Sequence, residues 1–108
     1  MLTLVDSIGE SYYHPVIRSF KNRDTEKVWN REHVPAFGTE LQRAAQKKLR
    51  LLNAASELNS LRVPPGNRLE KLVGDRNGQH SIRINDQYRI CFVWADNGAD
   101  DVEITDYH

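Results

Sequence analysis

Cysteine and long apolar runs are what this sequence has least of. Cys91 is the only cysteine among 108 residues, so an intrachain disulfide is excluded and a buried thiol in a reducing compartment is expected. The uncharged apolar stretches are short, such as residues 90–95, whereas a membrane-spanning helix needs about 18 or more apolar residues. Residues 1–10 have neither the basic nor the apolar region of a secretory signal. We therefore expect a cytoplasmic protein that does not span a membrane.

The sequence also lacks the spacings that are typical of metal and nucleotide sites. Its four histidines form no closely spaced set with cysteine or aspartate except Asp106 and His108, which are too few ligands for a zinc site. The glycines lie in turn clusters and not in a phosphate-binding loop. The residues therefore predict neither a bound metal nor a cofactor.

The formal net charge is zero, but the charges are unevenly distributed. All 15 lysines and arginines lie between Arg18 and Arg89, and over residues 16–95 only eight acidic side chains oppose them, which leaves a local net charge of +7. The two ends of the chain carry the compensating acidic residues. A basic body with acidic ends favours specific contacts with a polyanion over a nonspecific DNA coat.

Residues 1–15 differ in pattern from the rest of the chain. The segment over residues 2–15 is acidic and has no sustained period, whereas residues 16–20 alternate as a first strand does. We expect residues 1–15 to be an N-terminal extension, either a disordered, family-specific addition or the product of a misassigned start codon. Residues 16–108 have the length and composition of one domain.

The spacing of apolar residues predicts two helices followed by an antiparallel sheet. A short helix is expected over residues 25–31, with Asn22 or Asp24 as its cap, and a long helix over residues 39–58, capped by Thr39. Apolar runs between turn residues predict four strands, over residues 69–73, 80–84, 88–94 and 102–105. Helices that precede a run of hairpins indicate an α+β fold with both helices packed on one face of the sheet.

Strand parity predicts two arginines opposite each other on the face that the helices leave open. A loop over residues 85–87 keeps the apolar residues of the hairpin paired and sets Arg83 opposite Arg89. Two cations directly across a strand pair repel each other, so an anion between them would stabilise the arrangement. The alternative is that each arginine pairs with a nearby carboxylate, such as Asp86 or Glu70.

The chain ends in Asp106, Tyr107 and His108, which are either an exposed tail or catalytic groups fixed at the rim of the sheet. Metal-free RNA cleavage needs a base, an acid and cations that offset the charge on the phosphorane. His108 titrates near neutral pH, and Tyr107 can donate a hydrogen bond or stack on a base. The guanidinium groups of Arg83 and Arg89 match phosphate oxygens.

Several stretches together resemble the HigB branch of the RelE-like bacterial toxins. These stretches are residues 16–20, 64–72, 78–92 and 102–108, and the resemblance covers residues 16–108. It implies an α+β fold of the microbial ribonuclease type and a metal-independent endoribonuclease that cleaves mRNA on the ribosome and arrests growth. It also implies a HigA-type helix-turn-helix antitoxin as partner, which neutralises the toxin and links it to operator DNA.

The resemblance also implies roles for particular residues. The ending at Asp106 matches the acidic–Tyr–His triplet that supplies catalytic groups in HigB toxins, and Arg89 matches their phosphate-contacting arginine. Glu70 stands where some HigB toxins have a second active-site histidine, and Val73 replaces a basic residue. The predicted catalytic residues are His108, Tyr107, Asp106, Arg89, Arg83 and Glu70. The predicted RNA-binding residues are Arg68, Lys71, Arg76, Lys47, Lys48 and Arg50.

Two other functions remain open from the sequence. The first is a catalytically weak module that binds its antitoxin and acts mainly as an operon co-repressor, and such a module would tolerate the loss of His108. The second is a gyrase-directed inhibitor on the same fold, a class that is expected to lack the arginine pair.

Overall fold

The structure is a computed structural model, and it describes residues 15–106. Two helices, α1 (Arg23–Trp29) and α2 (Thr39–Asn53), precede a four-stranded antiparallel sheet. The strands lie in sequence order and are β1 (Glu70–Lys71), β2 (His80–Arg83), β3 (Tyr88–Ala95) and β4 (Gly98–Asp106). Residues 1–14, which make up most of the predicted extension, and residues 107–108 lie outside the described part of the chain.

Helix α1 begins directly after its N-cap residue, Asn22. The Asn22 side chain accepts a hydrogen bond from the Thr25 backbone N–H at 2.9 Å, so Asn22 and not Asp24 is the cap. The helix ends at Trp29, before the predicted residue 31, and Arg31 takes the left-handed conformation with φ 64°. The Glu32 N–H then donates to the Lys27 carbonyl, which is typical of a Schellman ending.

Helix α2 differs from the prediction at both ends. Gly38 occupies the N-cap in place of Thr39, and the helix stops at Asn53 and not at residue 58. The Asn53 side chain accepts hydrogen bonds from the backbone N–H groups of Val16 and Ile17, each at 2.9 Å. The end of α2 therefore anchors the start of the described chain, and this long-range contact is invisible in the local sequence.

The sheet confirms the predicted hairpin register. Ile82 pairs with Ile90, and Arg83 pairs with Arg89. Strand β1 is only two residues long, shorter than predicted, and β4 begins four residues before residue 102. The early start of β4 follows from a two-residue turn at Asp96 and Asn97, whose positive φ angles are typical of a tight hairpin.

Residues 16–20 run beside β4 without forming a regular strand. Isolated parallel bridges join Ile17 to Ala99 and Phe20 to Val102. The Arg18 guanidinium donates to the Asp100 carboxylate at 3.1 and 2.9 Å. The predicted first strand is therefore an extended segment that is held at the β4 edge.

The core lies between the helices and one face of the sheet. It contains Val28 from α1, Leu49 from α2, and Ile82, Ile90 and Phe92 from the sheet. Each fully buried side chain of this size contributes about 1.5–3 kcal/mol. Helix α1 contacts β4, and α2 contacts both β3 and β4. No helix in residues 15–106 is long and apolar enough to cross a membrane.

Candidate functional site

The sheet face opposite the core carries two arginines. Ser81 and Arg83 on β2, and Arg89 and Cys91 on β3, alternate with core residues and so share this face. We call it the arginine face. Glu70 belongs to it too, because it pairs with Ser81 across β1 and β2.

Arg89 is fixed on this face and only 8% exposed. Its Nε donates to the Ser81 Oγ at 2.7 Å, and its Nη2 donates to the Arg68 backbone carbonyl at 2.6 Å. The Glu70 Oε1 lies 3.7 Å from the same Nη2. Serine suits position 81 because its side chain is short enough to lie beneath the guanidinium and still accepts a hydrogen bond.

Arg83 has a weaker partner. Its guanidinium hydrogen-bonds to the Asp86 carboxylate, and the Asp86 side chain is 98% exposed. Each arginine of the pair thus has a nearby carboxylate, as in the alternative that the sequence left open. An exposed ion pair such as Arg83 and Asp86 is worth about 0–1 kcal/mol, so a stronger anionic ligand can displace Asp86. Binding of an anion between the arginines stays a prediction.

Arg76 extends the basic surface across β4. Its Nη1 donates to Gln79 at 3.0 Å and to Glu103 at 3.1 Å, and its Nη2 donates to the Thr105 hydroxyl at 3.4 Å. Thr105 pairs with Arg89 and Glu103 pairs with Cys91, so Arg76 lies over the same face.

Burial raises the pKa of the Cys91 thiol. A neutral, buried thiol of this kind is a packing group and not a nucleophile.

The remaining predicted RNA-binding residues fall into separate places. The Lys48 ammonium donates to the buried Asn67 side chain at 2.6 Å, and burial, followed by the charges of Lys47 and Arg83, lowers the pKa of Lys48. Arg50 binds the side chain of Gln46 along α2. The Lys47 and Arg68 side chains are exposed.

Lys71 does not join the arginine face. Its pairing with His80 puts it on the opposite side of β1 from Glu70. Successive side chains along a strand point to opposite faces of the sheet. A contact of Lys71 with RNA stays a prediction, and such a contact would lie on the other side of β1 from Glu70.

The last described residue, Asp106, ends β4. It pairs with Tyr88, which packs against the core, so its side chain lies on the sheet face opposite Arg89. The Gln87 side-chain amide donates to its carboxylate at 2.9 Å. Tyr107 and His108 lie outside the described residues. Catalytic roles for these three residues stay predictions.

Two structural contributors were missed by the sequence reasoning. Asn67, fully buried, holds Lys48, and Ser81, also fully buried, holds Arg89. Strand parity is enough to find Ser81, since alternation puts residue 81 on the same face as residue 83. Nothing in the turn around Asn67 signals its lysine partner, which lies 19 residues earlier.

Comparisons with known proteins point to one family. The protein-family model described as RelE-like toxin of type II toxin–antitoxin system HigB matches residues 18–108. Toxin HigB-1 of Vibrio cholerae serotype O1 is 48% identical over 59 residues, which are 55% of this chain and 62% of that protein. An uncharacterized protein of Haemophilus influenzae is 39% identical over 57 residues, 53% of this chain and 56% of that protein. The matches thus span somewhat more than half the length of these relatives.

The fold has a counterpart among solved structures. The YoeB-YefM complex from Staphylococcus aureus contains a chain that matches with a TM-score of 0.55 over 85% of this chain and 97% of that chain. The sequence identity is 16%, so this likeness concerns the fold alone. The family model, in contrast, includes both helices, the whole sheet and the arginine face. The chain belongs to the HigB family of RelE-like toxins of type II toxin–antitoxin systems.

Proposed function

We propose that this protein is a ribosome-dependent endoribonuclease that cleaves mRNA without a metal ion and thereby inhibits translation in the cytoplasm. A HigA-type helix-turn-helix antitoxin neutralises it and links it to operator DNA. Core residues of both helices pack against one face of the sheet, and we assign the arginine face to RNA. The observation that carries the proposal is the fixed guanidinium of Arg89 beside Arg83.

The arginine face suits the charge that develops during RNA cleavage. In this reaction the 2′-hydroxyl attacks the phosphorus, the bond to the 5′-oxygen breaks, and negative charge accumulates on the phosphorane oxygens. Arg89 is held by Ser81 and by the Arg68 carbonyl before any substrate arrives. Cations that are fixed in advance need no reorganisation, which makes them effective in stabilising a transition state.

Proton transfer falls to the carboxylate and the C-terminal residues. Glu70 lies on the arginine face, is half exposed and is 3.7 Å from Arg89, which supports its assignment as the base that takes the proton of the 2′-hydroxyl. His108 gives a proton to the leaving 5′-oxygen. In the alternative mechanism Glu70 takes no part, and His108 acts with Tyr107 and the arginines alone. Tyr107 stacks on a base or donates a hydrogen bond. Asp106 orients these groups from the end of β4, since its pairing with Tyr88 puts its side chain on the face opposite Arg89.

Cations around this face hold the RNA backbone. The Arg68 carbonyl contacts Arg89, and Arg76 lies over the arginine face. Lys47, Lys48 and Arg50 supply further cations along α2. Contacts between cations and phosphates release counterions, so binding weakens steeply as salt is added. Lys71 lies on the other side of β1 from Glu70, so its proposed contact with RNA is separate from those of this set.

One observation favours a co-repressor as the second candidate function. Arg83 and Arg89 each already have a carboxylate partner, and Arg89 is nearly buried. A face whose arginines are already paired with carboxylates of the same chain can stabilise the fold and bind the antitoxin without any catalytic role. Removal of His108 separates the two functions, because a co-repressor tolerates the truncation.

Primer extension on a defined mRNA in a reconstituted bacterial translation reaction tests the proposal. The intact protein, a variant without His108 and Arg89→Ala are compared, each with and without ribosomes. Cuts within translated codons that need ribosomes and disappear in both variants are expected. Because Arg89 is buried, circular dichroism must show that Arg89→Ala is folded. If folded intact protein makes no cuts but represses its operon with the antitoxin, the co-repressor function replaces the nuclease.

A further inference from the structure

A cleft between the two helices is lined by cations that the proposed function does not use. It has a volume of about 310 Å³ and lies where the connection after α1 passes along α2. Arg31 and His33 line it from this connection, and Arg43 lines it from α2. None of the aspartates and glutamates in residues 15–106 lines it. We call it the helix cleft, and it presents positive charge without a carboxylate of its own.

Gln42 fixes the wall of the helix cleft. Its side-chain oxygen accepts a hydrogen bond from the Val34 backbone N–H at 3.0 Å, and its side-chain nitrogen donates to the Glu32 carbonyl at 2.6 Å. These two contacts lie on either side of His33 in the sequence, so they hold the backbone of His33 against α2. A site whose walls are ordered before binding pays less for ordering when a ligand binds.

Neither arginine of the helix cleft is paired within the described part of the chain. None of the ion pairs in residues 15–106 includes Arg31 or Arg43, and neither guanidinium donates a hydrogen bond to another residue of that range. Both residues are exposed. A guanidinium presents a planar set of donors that matches a carboxylate, so these two groups are available to a carboxylate from another molecule.

The backbone at Arg31 indicates that its side chain contributes something other than stability. Its φ of 64° is the left-handed conformation, which is unfavourable for a residue with a Cβ atom and which glycine adopts freely. The exposed side chain has no ion pair or hydrogen bond within residues 15–106 that would compensate for this strain. Strain of this kind is typical of functional positions. We therefore interpret Arg31 as a binding residue.

The helix cleft is separate from the arginine face. Gln46 lines the cleft, and Lys48 follows it by two residues, which corresponds to about 200° around an α-helix. Lys48 therefore lies on the other flank of α2. The arginine face lies on the opposite side of the sheet from the helices. A ligand group in the helix cleft thus does not occupy the arginine face.

We propose that the helix cleft docks an acidic segment of the antitoxin, with Arg31 and Arg43 binding carboxylate groups and His33 donating a further hydrogen bond. The chain belongs to a family of toxins from type II toxin–antitoxin systems, so an antitoxin is its expected protein partner. The inference rests on the proposed function only because it takes the HigA-type antitoxin as this partner. Charge-assisted hydrogen bonds of this kind are about twice as strong as neutral ones.

The charge around the helix cleft suits an acidic protein segment better than RNA. Residues 23–43 carry four lysines and arginines and four aspartates and glutamates, so their net charge is zero. An RNA strand binds best to a surface that is positive along several phosphates, and the four acidic side chains oppose it. A carboxylate needs only the cations that line the cleft. RNA is the competing occupant, and the experiment below distinguishes it.

The affinity of the purified antitoxin for the full-length protein, measured in competition with labelled intact protein, tests the helix cleft. We expect Arg31→Gln and Arg43→Gln each to weaken antitoxin binding about tenfold. Arg23→Gln removes an equal charge at an exposed position on α1, and it should change the affinity by less than about twofold. All three side chains are exposed, so the variants should fold as the intact protein does.

Arg31→Gly gives a readout that a purely structural role would not produce. Glycine relieves the strain at φ 64°, so this variant should be more stable than the intact protein. It should nevertheless bind the antitoxin about tenfold more weakly, because the guanidinium is gone. If Arg31 served only the fold, stability and affinity would change in the same direction.

A double-mutant cycle identifies the carboxylate on the antitoxin. Each aspartate and glutamate of the antitoxin is replaced in turn by its amide, and binding to the intact protein is compared with binding to Arg43→Gln. We expect one acidic position whose replacement weakens binding to the intact protein but not to Arg43→Gln, because both changes remove the same contact. Additive effects at every acidic position would overturn the proposal.

Two other results would overturn the helix cleft as a docking site. The first is equal antitoxin affinity of the intact protein, Arg31→Gln and Arg43→Gln. The second is weaker binding of these variants to a short RNA with 2′-deoxy substitutions that prevent cleavage, which would make RNA the occupant. Neither measurement needs ribosomes or catalysis. If the variants lose antitoxin affinity but the intact protein cuts no mRNA, the docking site is supported and only the nuclease is refuted.

Discussion

Ser81→Ala isolates the hydrogen bond that fixes Arg89. Ser81 is fully buried, and its hydroxyl accepts from the Arg89 Nε at 2.7 Å. The substitution removes one oxygen and leaves a buried, charged donor without that partner. Hydrogen bonds to charged groups contribute about 1.5–3 kcal/mol, so we expect a loss of that order in the free energy of unfolding. For a domain of this size, 1 kcal/mol corresponds to about 4–8 °C in Tm.

Urea denaturation followed by circular dichroism measures this loss. Ser56→Ala is the matched control, because Ser56 is exposed and its hydroxyl contacts only the Ser60 hydroxyl. If the proposed function is correct, Ser81→Ala also slows mRNA cleavage. Without the Ser81 hydroxyl, the Arg89 guanidinium is no longer fixed before the substrate binds and has to be ordered during the reaction. Equal stability of Ser81→Ala and the intact protein would refute the reasoning that this contact fixes the guanidinium.

Three further predictions concern stability. Arg31→Gly should raise the free energy of unfolding by about 1 kcal/mol, because φ is 64° there and glycine adopts this conformation without strain; a chemical melt that shows a loss would contradict it. Thr25→Val should cost about 1–3 kcal/mol, because the buried Thr25 hydroxyl accepts from the Ile104 N–H at 3.0 Å and valine leaves that donor unpaired. Thr25→Ser, its control, should lose less. Burial, and then the charge of Lys71, lower the pKa of His80 in the folded protein. As the pH falls, His80 is therefore protonated in the unfolded chain before it is protonated in the folded protein. The free energy of unfolding should decrease as the pH drops below about 6.5. His80→Gln should flatten that dependence between pH 7.5 and 5.5 in urea melts, and an unchanged slope would exclude His80 as its source.

The features that the sequence predicted correctly depend on short-range rules. Side chains alternate along a strand, and the loop at residues 85–87 sets the hairpin register, so Arg83 opposite Arg89 could be predicted. The cap at Asn22 acts over three residues. Both rules need only neighbouring residues and no knowledge of the tertiary fold.

The features that the sequence did not predict depend on distant partners. Helix α2 ends at Asn53, whose side chain binds backbone groups more than 35 residues away. Arg76 reaches Glu103 across 27 residues, and Lys48 reaches Asn67 across 19. The face on which Lys71 lies could not be assigned from the sequence, since β1 is too short for its two faces to be recognised from an apolar pattern.

The most direct test of the central claim is the rate at which a fixed mRNA is cut on purified, programmed ribosomes in a single turnover. Arg83→Gln is compared with Arg23→Gln, which loses the same charge at an exposed position at the start of α1. If the arginine face stabilises the transition state, Arg83→Gln should cut at least about tenfold more slowly, while Arg23→Gln keeps the rate of the intact protein. Equal rates for the two variants would contradict a catalytic role for Arg83 on this face.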